Sequence, residues 1–220
     1  MPYLQRQAAL TAVAATLVLA SVIPSANARA DATSQLGTNL VVNGDAEANV
    51  GAANNMQVVK PTGWTTTGEF TAVQYGAAGG FPDATSPGPK DRGKNDFEGG
   101  NVPKSTATQT ISLAQSAAVI KSGAVRFKFS AWLGGFEGQA DNATATVTFE
   151  DGSGAKLLKA TLGPVTPQER KSVTGLLLRE TSGTVPNAAA QAVVTIVITR
   201  YEGVYNDGSA DNISLVLSKS

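Results

Sequence analysis

Apolar and polar residues alternate strictly over residues 124–133, and this pattern constrains the fold more than any other feature of the chain. The two sets are Val125, Phe127, Phe129, Ala131 and Leu133 on one face and Arg126, Lys128, Ser130 and Trp132 on the other. A period of two is that of a β-strand with one face buried and the other turned to solvent. The chain is therefore expected to build sheets that pack through one side.

The same period recurs along much of the chain. Residues 143–150 alternate apolar side chains with threonines, and Asp151-Gly152 after them is typical of a hairpin turn, since this pair tolerates positive φ. Further short strands are expected at residues 39–42, 69–75, 105–113, 156–162, 173–179, 191–201 and 212–217. With only a weak helical turn expected at 114–120, the pattern predicts an all-β chain, an antiparallel β-sandwich or jelly roll of eight or nine strands. Residues 76–100, dense in Gly, Pro and Asp, are expected to form one long loop.

The first thirty residues have the pattern of a secretory signal peptide. Arg6 precedes an apolar run over residues 8–23, Pro24 breaks the run, and small residues of the Ala-x-Ala type follow. A membrane anchor is the alternative, but it needs about twenty apolar residues and usually has no cleavage site. We therefore expect residues 31–220 to form a single exported domain, secreted or periplasmic, with no membrane span.

The chain contains no cysteine and no histidine. Without cysteine no disulfide can form, so a large core or a metal would replace the bridges, as in an exported bacterial protein. Without histidine, Ser-His-Asp and Cys-His catalysis and His-ligated zinc are excluded. The formal net charge is zero and no basic patch is present, which argues against a nucleic-acid partner.

Two motifs rich in oxygen-bearing side chains stand at opposite ends of the exported part. Residues 39–47 read Asn-Leu-Val-Val-Asn-Gly-Asp-Ala-Glu, and residues 205–217 contain Asn-Asp-Gly and Ala-Asp-Asn before an apolar run. Carboxylate, amide and carbonyl oxygens are the ligands that calcium prefers. Either the motifs are ordinary turns, which Asn, Asp and Gly favour, or the first and last strands lie side by side and hold a cation together. A hairpin turn alone would explain Asp207-Gly208.

The two motifs resemble those of a known family. Residues 39–47, followed by Gly63-Trp64, are similar to the opening of bacterial carbohydrate-binding modules of the CenC type, in the galactose-binding-like β-sandwich group. Residues 210–215, Ala-Asp-Asn-Ile-Ser-Leu, are similar to the last strand of that group. The resemblance implies a structural calcium between the terminal segments, with Glu47 and Asp211 as ligands and Asp45 and backbone carbonyls in support. It also implies a carbohydrate or glycan as the partner.

Trp132 is the aromatic residue of most interest, because it lies on the polar face of the best-defined strand. In one interpretation a sugar ring stacks on it, since the apolar face of a pyranose covers a flat aromatic ring. In the other, Gly134-Gly135 forms a loop that folds over the ring and buries it. Further candidates for ligand binding are Phe136, Gln139, Tyr201 and Tyr205. Trp64, which follows Pro61 and Gly63, is expected to anchor the core.

Three functions are compatible with the sequence. The first is an exported, non-catalytic module that binds carbohydrate and contains a structural calcium. The second is a structural or adhesion-type protein that binds other proteins through its threonine-rich faces. The third is a carboxylate-based glycoside-active enzyme, for which Asp91, Glu98, Glu137 and Asp141 are the candidates for acid and base. No catalytic motif joins these carboxylates, so we expect the first function and no enzyme activity.

Overall fold

The alternating segments form strands throughout a computed structural model that describes residues 35–220. The expected signal peptide at residues 1–30 lies outside the described residues. The strands are β1 (Ala52–Asn54), β2 (Thr65–Thr67), β3 (Thr71–Ala78), β4 (Asn95–Glu98), β5 (Lys104–Ser112), β6 (Val125–Gly135), β7 (Asn142–Glu150), β8 (Lys156–Leu162), β9 (Gly175–Thr184), β10 (Gln191–Thr199) and β11 (Ser209–Lys219). A 3-10 turn (Ala114–Ser116) and the short helix α1 (Ala117–Lys121) lie where the helical turn was expected.

The strands build two sheets that pack face to face. One sheet has six strands in the order β1-β3-β4-β11-β6-β9, and the other has five in the order β2-β5-β10-β7-β8. All neighbouring strands are antiparallel except β1 and β3, which run parallel. The predicted antiparallel β-sandwich is therefore confirmed. Within residues 35–220, no helix has the length and apolarity that crossing a membrane requires.

One hydrophobic core fills the space between the sheets. Phe127, Phe129 and Leu133 of β6 are almost completely buried, as their alternation predicted. Phe127 packs against Phe149 of β7 with 5.1 Å between the ring centroids. The inward-facing residues of β10, such as Ile196, complete this part of the core. The alternating pattern thus assigned each side chain to the correct face.

Trp64 anchors one edge of the core, as expected. Its indole N–H donates a 3.0 Å hydrogen bond to the carbonyl of Asn43. Its ring packs edge-on against Phe97, with 5.9 Å between the centroids. The polar end of the ring is therefore satisfied while its body is buried, as a buried tryptophan requires.

Strand β4 was not predicted from the sequence. Residues 76–100 were expected to form one loop, but β3 continues to Ala78 and Asn95–Glu98 forms a strand between β3 and β11. The alternation that reveals β4 is short, and two of its four residues are carboxylates. Because Asp and Glu are depleted in strands, such a segment is typical of a solvated loop.

The first and last segments of the domain lie side by side, but the first is not a strand. Residues 39–42 lie outside the named strands, and single bridges join Leu36 to Leu217 and Asn39 to Val216. Backbone bonds run from Gly37 to Leu217 (2.8 Å) and from Leu40 to Leu215 (2.9 Å). The Asn39 side chain adds two more: its oxygen accepts the N–H of Leu215 (3.0 Å) and its amide donates to the carbonyl of Ile213 (3.2 Å). The expected adjacency is confirmed, and the expected strand at 39–42 is wrong.

Residues 200–208 connect the two sheets. Strand β10 belongs to the five-stranded sheet and β11 to the six-stranded sheet, so the segment between them, called the crossover below, passes from one sheet to the other. The hairpin turn that would explain Asp207-Gly208 is therefore absent, and that interpretation is wrong.

The outer face of the five-stranded sheet carries a row of threonines in register. Thr108 of β5 pairs with Thr195 of β10, Thr195 pairs with Thr146 of β7, and Thr146 pairs with Thr161 of β8. Thr65 of β2 extends the row beside Thr108. We call these five residues the threonine row; they form the surface on which the adhesion hypothesis depends.

Candidate functional site

The outer face of the six-stranded sheet places Trp132 in one row with two carboxylates. Trp132 on β6 pairs with Asp211 on β11 and, on its other side, with Leu178 on β9. The register of β4 with β11 places Asp96 next in the same row. Directly opposed residues of antiparallel strands share a face, so Leu178, Trp132, Asp211 and Asp96 form one row across four strands.

Trp132 lines an open groove of about 330 Å³ on this face. The Trp132 side chain is half-buried, and Leu178 beside it is 44% exposed. The rest of the lining consists of Asn39, Gly44, Asp45, Asp91, Ser130, Asn212, Ile213 and Ser214. This groove, called the tryptophan groove below, therefore combines an aromatic ring with carboxylates, amides and hydroxyls, and no lysine or arginine is among these ten lining residues.

The glycines that follow Trp132 do not cover its ring. Gly134 and Gly135 continue β6 and pair with Leu176 and Gly175 of β9. The interpretation in which they form a loop over Trp132 is therefore wrong. A Cβ atom at Gly134 would collide with the carbonyl oxygen of Gly175, so glycine here allows the two strands to approach each other closely.

The other residues predicted to bind a ligand lie outside the tryptophan groove. Tyr205 is only 8% exposed, and the ring of Phe136 lies against Gly80. Tyr201 is 66% exposed and lines a separate cavity of about 400 Å³. Gln139 is half-buried, and its backbone carbonyl accepts a hydrogen bond from an arginine of a neighbouring loop. The structure thus does not gather the five predicted residues into one site.

Residues 79–94, which connect β3 to β4 and are called the roof below, cover part of the outer face of the six-stranded sheet. Phe81 of the roof packs edge-on against Tyr205, with 5.3 Å between the centroids. These two rings form a small second core with Ala52 and Val73. The roof therefore shields one part of this face from water and leaves the tryptophan groove open.

Arg92 holds the roof in its conformation. Its guanidinium nitrogens donate to the carbonyls of Pro89 (3.0 Å), Asp83 (2.5 Å) and Ser86 (2.9 Å). The guanidinium carbon also lies 5.2 Å from the centroid of the Tyr75 ring. The hydrogen bonds of the Arg92 guanidinium therefore stabilise the roof itself.

Glu47, one of the predicted metal ligands, ties the end of the roof to the N-terminal segment. Its Oε1 accepts the N–H groups of Lys94 (2.7 Å) and Asn95 (2.8 Å). Gly93 has a φ of 66°, and a Cβ atom there would lie 2.6 Å from the carboxyl carbon of Glu47. Asp45 is exposed, and its Oδ1 accepts a long bond of 3.4 Å from the N–H of Glu47.

Asp211, the third predicted metal ligand, is completely buried. Its Oδ2 accepts a bond from the Tyr75 hydroxyl (2.7 Å) and its Oδ1 accepts the N–H of Asn212 (2.6 Å). Burial raises the pKa of Asp211 to about 8, and the charges of Asp45 and Glu47 act in the same direction. Within residues 35–220, no three Asp, Glu, His or Cys side chains are arranged to hold a metal ion, so a cation at this seam would need backbone carbonyls as further ligands.

Two more carboxylates on this face, Asp96 and Glu98, were not proposed as metal ligands from the sequence. Both are at most 1% exposed. The Ser209 hydroxyl donates to Oε1 of Glu98 (2.6 Å), but both oxygens of Asp96 and Oε2 of Glu98 have no hydrogen-bond partner. Burial raises the pKa of both carboxyls well above the usual range, and neighbouring carboxylates add to the shift. The signal for them was the alternation around Phe97, which places both on one face.

The four carboxylates considered for glycoside hydrolysis occupy different environments. Glu98 lies under the roof, whereas Glu137 and Asp91 are exposed, and Asp91 accepts a 3.1 Å bond from the Asn212 amide. Asp141 is buried and binds the crossover, accepting the backbone N–H groups of Tyr201 (2.6 Å), Glu202 (2.9 Å) and Asp207 (3.0 Å). Asp141 is therefore engaged in holding the backbone.

Comparison with known proteins found similarity to solved structures. No protein-family model and no curated protein matches the chain. Family 16 Carbohydrate Binding Module-2 superposes with a TM-score of 0.48 and 20% identity over 81% of this chain and 99% of that one. The C-terminal family 22 carbohydrate-binding module of Clostridium thermocellum Xyn10B gives a TM-score of 0.45 and 13% identity over 84% and 95%.

The enzymatically active domain of tailspike protein 4 from bacteriophage CBA120 gives a TM-score of 0.48 and 16% identity over 81% of this chain. The match spans only 21% of the tailspike chain. Two of these three solved structures are carbohydrate-binding modules, of families 16 and 22. Because these TM-scores are below 0.5, the similarities assign neither a ligand nor an activity to this chain.

Proposed function

We propose that this chain is an exported, non-catalytic protein that binds carbohydrate in the tryptophan groove. The observation that supports the proposal is the half-buried ring of Trp132 in an open groove beside the exposed Leu178. A ring held by a strand and open on one side is a rigid apolar platform, on which the apolar face of a sugar can lie with little loss of side-chain entropy.

The polar lining of the groove suits a neutral glycan. Sugar hydroxyls donate and accept hydrogen bonds, and the lining offers the carboxylates of Asp45 and Asp91, the amide of Asn212, and the hydroxyls of Ser130 and Ser214. A few such groups around an apolar platform fix the orientation of a ligand. The carboxylates of Asp45 and Asp91, with no lysine or arginine in the lining, disfavour anionic sugars, because like charges repel.

We also propose a structural calcium at the seam of Asp45, Glu47 and Asp211. Burial raises the pKa of Asp211, the charges of Asp45 and Glu47 act in the same direction, and a cation beside Asp211 would offset both effects. Calcium would join the N-terminal segment to β11. It would thus provide a cross-link in a chain that has no cysteine and can form no disulfide. Chelation should then lower the melting temperature by several degrees, because a ligand that binds only the native state stabilises it; a melting curve that EDTA leaves unchanged would argue against the site.

The carbohydrate proposal is tested by retention on insoluble neutral polysaccharides and on a glycan array. Trp132→Ala should abolish retention of the protein on the polysaccharide. Tyr201→Ala removes an exposed aromatic ring from a separate cavity, so this variant should be retained like the wild type. Full retention by Trp132→Ala would refute the groove as the binding site. If only Tyr201→Ala lost retention, the binding site would be the separate cavity that Tyr201 lines. We propose no catalytic role, because Glu98 and Asp141 are buried beneath other groups.

The threonine row is the observation that favours the second candidate function, binding of a protein by the opposite sheet. Thr195→Arg places a charge in the middle of the row, on the sheet opposite Trp132. If this variant loses adhesion to an extracellular matrix while Trp132→Ala keeps it, the adhesion function replaces the carbohydrate function.

A further inference from the structure

Strand β4 directs two carboxylates to the same side of the six-stranded sheet. Phe97 between them belongs to the main core, so Asp96 and Glu98 project from the outer face. Two residues along a strand span about 7 Å, which allows both side chains to reach one point above the sheet. The register confirms this placement, because Asp96 pairs with Val73, and Glu98 pairs with Thr71 and Ser209.

The roof and the crossover close this point off from solvent. Tyr205 lies beside it, because the backbone of Asn206 is hydrogen-bonded to Gly99 and Gly100, directly after Glu98, and the Tyr205 ring packs on Phe81. Burial, followed by the charges of Glu98 and Asp96, raises the pKa of the Tyr205 hydroxyl. Four oxygens here have no hydrogen-bond partner: both carboxylate oxygens of Asp96, Oε2 of Glu98 and the hydroxyl of Tyr205. These oxygens therefore form a buried cluster to which no group of the described residues donates a hydrogen bond.

No basic side chain compensates these carboxylates. Within residues 35–220 the ion pairs are Lys128–Glu180 and Arg179–Glu169, and neither involves Asp96 or Glu98. Arg92 is the cation whose charge reaches Asp96, but its guanidinium is bonded to carbonyls of the roof. An uncompensated buried carboxylate is strongly destabilising, so this pair requires either protons or a bound cation.

The chemistry of the cluster selects the kind of cation. All four unsatisfied atoms are hard oxygens, and neither thiolate nor imidazole is available in this chain. Such a set excludes the softer transition metals. Two negative charges match one divalent ion, and a dry, irregular site suits calcium better than magnesium, which demands octahedral geometry and keeps its water.

We infer that a calcium ion binds between Asp96 and Glu98 under the roof, with the Tyr205 hydroxyl and backbone carbonyls as further ligands. This site is distinct from the seam, where Glu47 and Asp211 already accept hydrogen bonds from backbone and hydroxyl donors. With two carboxylates rather than three, it agrees with the absence of any triad of metal-binding side chains in the described range. The ion would fix Tyr205, whose ring packs on Phe81 of the roof. The roof in turn contributes Asp91 to the tryptophan groove.

The test uses the full exported chain after treatment with EDTA and dialysis. Calcium bound per chain is measured by equilibrium dialysis with elemental analysis, and the melting temperature is followed as calcium or, as the control, magnesium is added. The variants are Asp96→Asn and Glu98→Gln, which keep shape and remove charge. The matched control is Glu47→Gln, which alters the seam.

We expect Asp96→Asn and Glu98→Gln each to bind one calcium fewer than the wild type, and Glu47→Gln to keep the ion under the roof. In EDTA, Asp96→Asn should melt no lower than the wild type, because it removes an uncompensated buried charge, and this result also shows that it folds. Tyr205→Phe should weaken calcium binding several-fold.

Unchanged stoichiometry in Asp96→Asn and Glu98→Gln would overturn the inference, and a loss confined to Glu47→Gln would assign the only calcium to the seam. No calcium binding by the wild type would overturn both sites. None of these results bears on the carbohydrate proposal, which depends on Trp132→Ala.

Discussion

The hydroxyl of Tyr75 donates a 2.7 Å hydrogen bond to Oδ2 of Asp211, and this bond spans a whole strand. Tyr75 belongs to β3 and Asp211 to β11, and β4 lies between them in the sheet. The bond therefore passes over the outer face beside Asp96. Burial raises the pKa of the Tyr75 hydroxyl, and the charges of Asp96 and Asp211 act in the same direction, which favours the protonated form that donates this bond.

Tyr75→Phe should destabilise the protein by about 1–2 kcal/mol, because it leaves a buried carboxylate oxygen without its donor. The measurement is urea-induced unfolding at pH 7. Tyr201→Phe is the matched control, since Tyr201 is exposed and should change the free energy of unfolding little. Equal stability of both variants would mean that water or a cation replaces the Tyr75 hydroxyl.

The tryptophan groove can be observed directly by fluorescence, because Trp64 and Trp132 are the only tryptophans in the chain. Trp64 is buried in the core, so in a Trp64→Phe variant the emission reports on Trp132 alone. A neutral oligosaccharide that is retained by the protein should shift or quench this emission and protect it from an aqueous quencher. If binding is measurable but the emission is unchanged, the ligand does not contact Trp132.

Glu47→Ala should loosen the roof, since it removes the acceptor of two backbone N–H groups, those of Lys94 and Asn95. In EDTA, so that no cation contributes, we expect a loss of about 1–3 kcal/mol and faster proteolysis within residues 79–94. Asp45→Ala is the control, because Asp45 is exposed and accepts one long bond. Equal proteolysis rates in the two variants would show that Glu47 does not hold the roof.

Stability should fall as the pH rises through the titration of Asp207. Burial, with a contribution from the charge of Asp141, raises the pKa of Asp207 to about 7. A carboxyl whose pKa is raised on folding favours the native state below its unfolded pKa of about 4, and this contribution is lost as the pH approaches the folded value. Thermal unfolding at pH 5 and pH 8 should therefore show a smaller pH dependence in Asp207→Asn than in the wild type. An identical dependence would mean that Asp207 is ionised throughout.

The strands with strict alternation could be predicted from the sequence, because a period of two has one structural solution when one face is apolar. The pattern over residues 124–133 placed Phe127 and Phe129 in the core and Trp132 outside it, and the structure agrees. Strand β4 could not be predicted in this way. Its carboxylates are buried by the roof, which precedes β4 directly but covers the sheet only in the folded chain, and by Tyr205, which lies far from β4 in sequence.

The candidate site was predicted only in part for the same reason. Trp132 was identified because its own strand defines its face, but Phe136 and Tyr205 turn toward the roof rather than the groove. The partners that make the groove polar, such as Asp91 and Asn212, come from separate loops. Which loop residues meet depends on how the loops fold over the sheet, and no local pattern records that.

By itself, the sequence determined that this protein is a β-sandwich and which face of each well-patterned strand is buried, because hydrophobic periodicity acts locally. It also excluded histidine and cysteine chemistry through composition. Only the tertiary structure decided that Gly134 and Gly135 extend β6 and leave the Trp132 groove open. It alone decided that Asp96 and Glu98 are buried without partners. Burial and hydrogen bonding of these groups depend on segments distant in the chain, so their electrostatic state is a property of the fold.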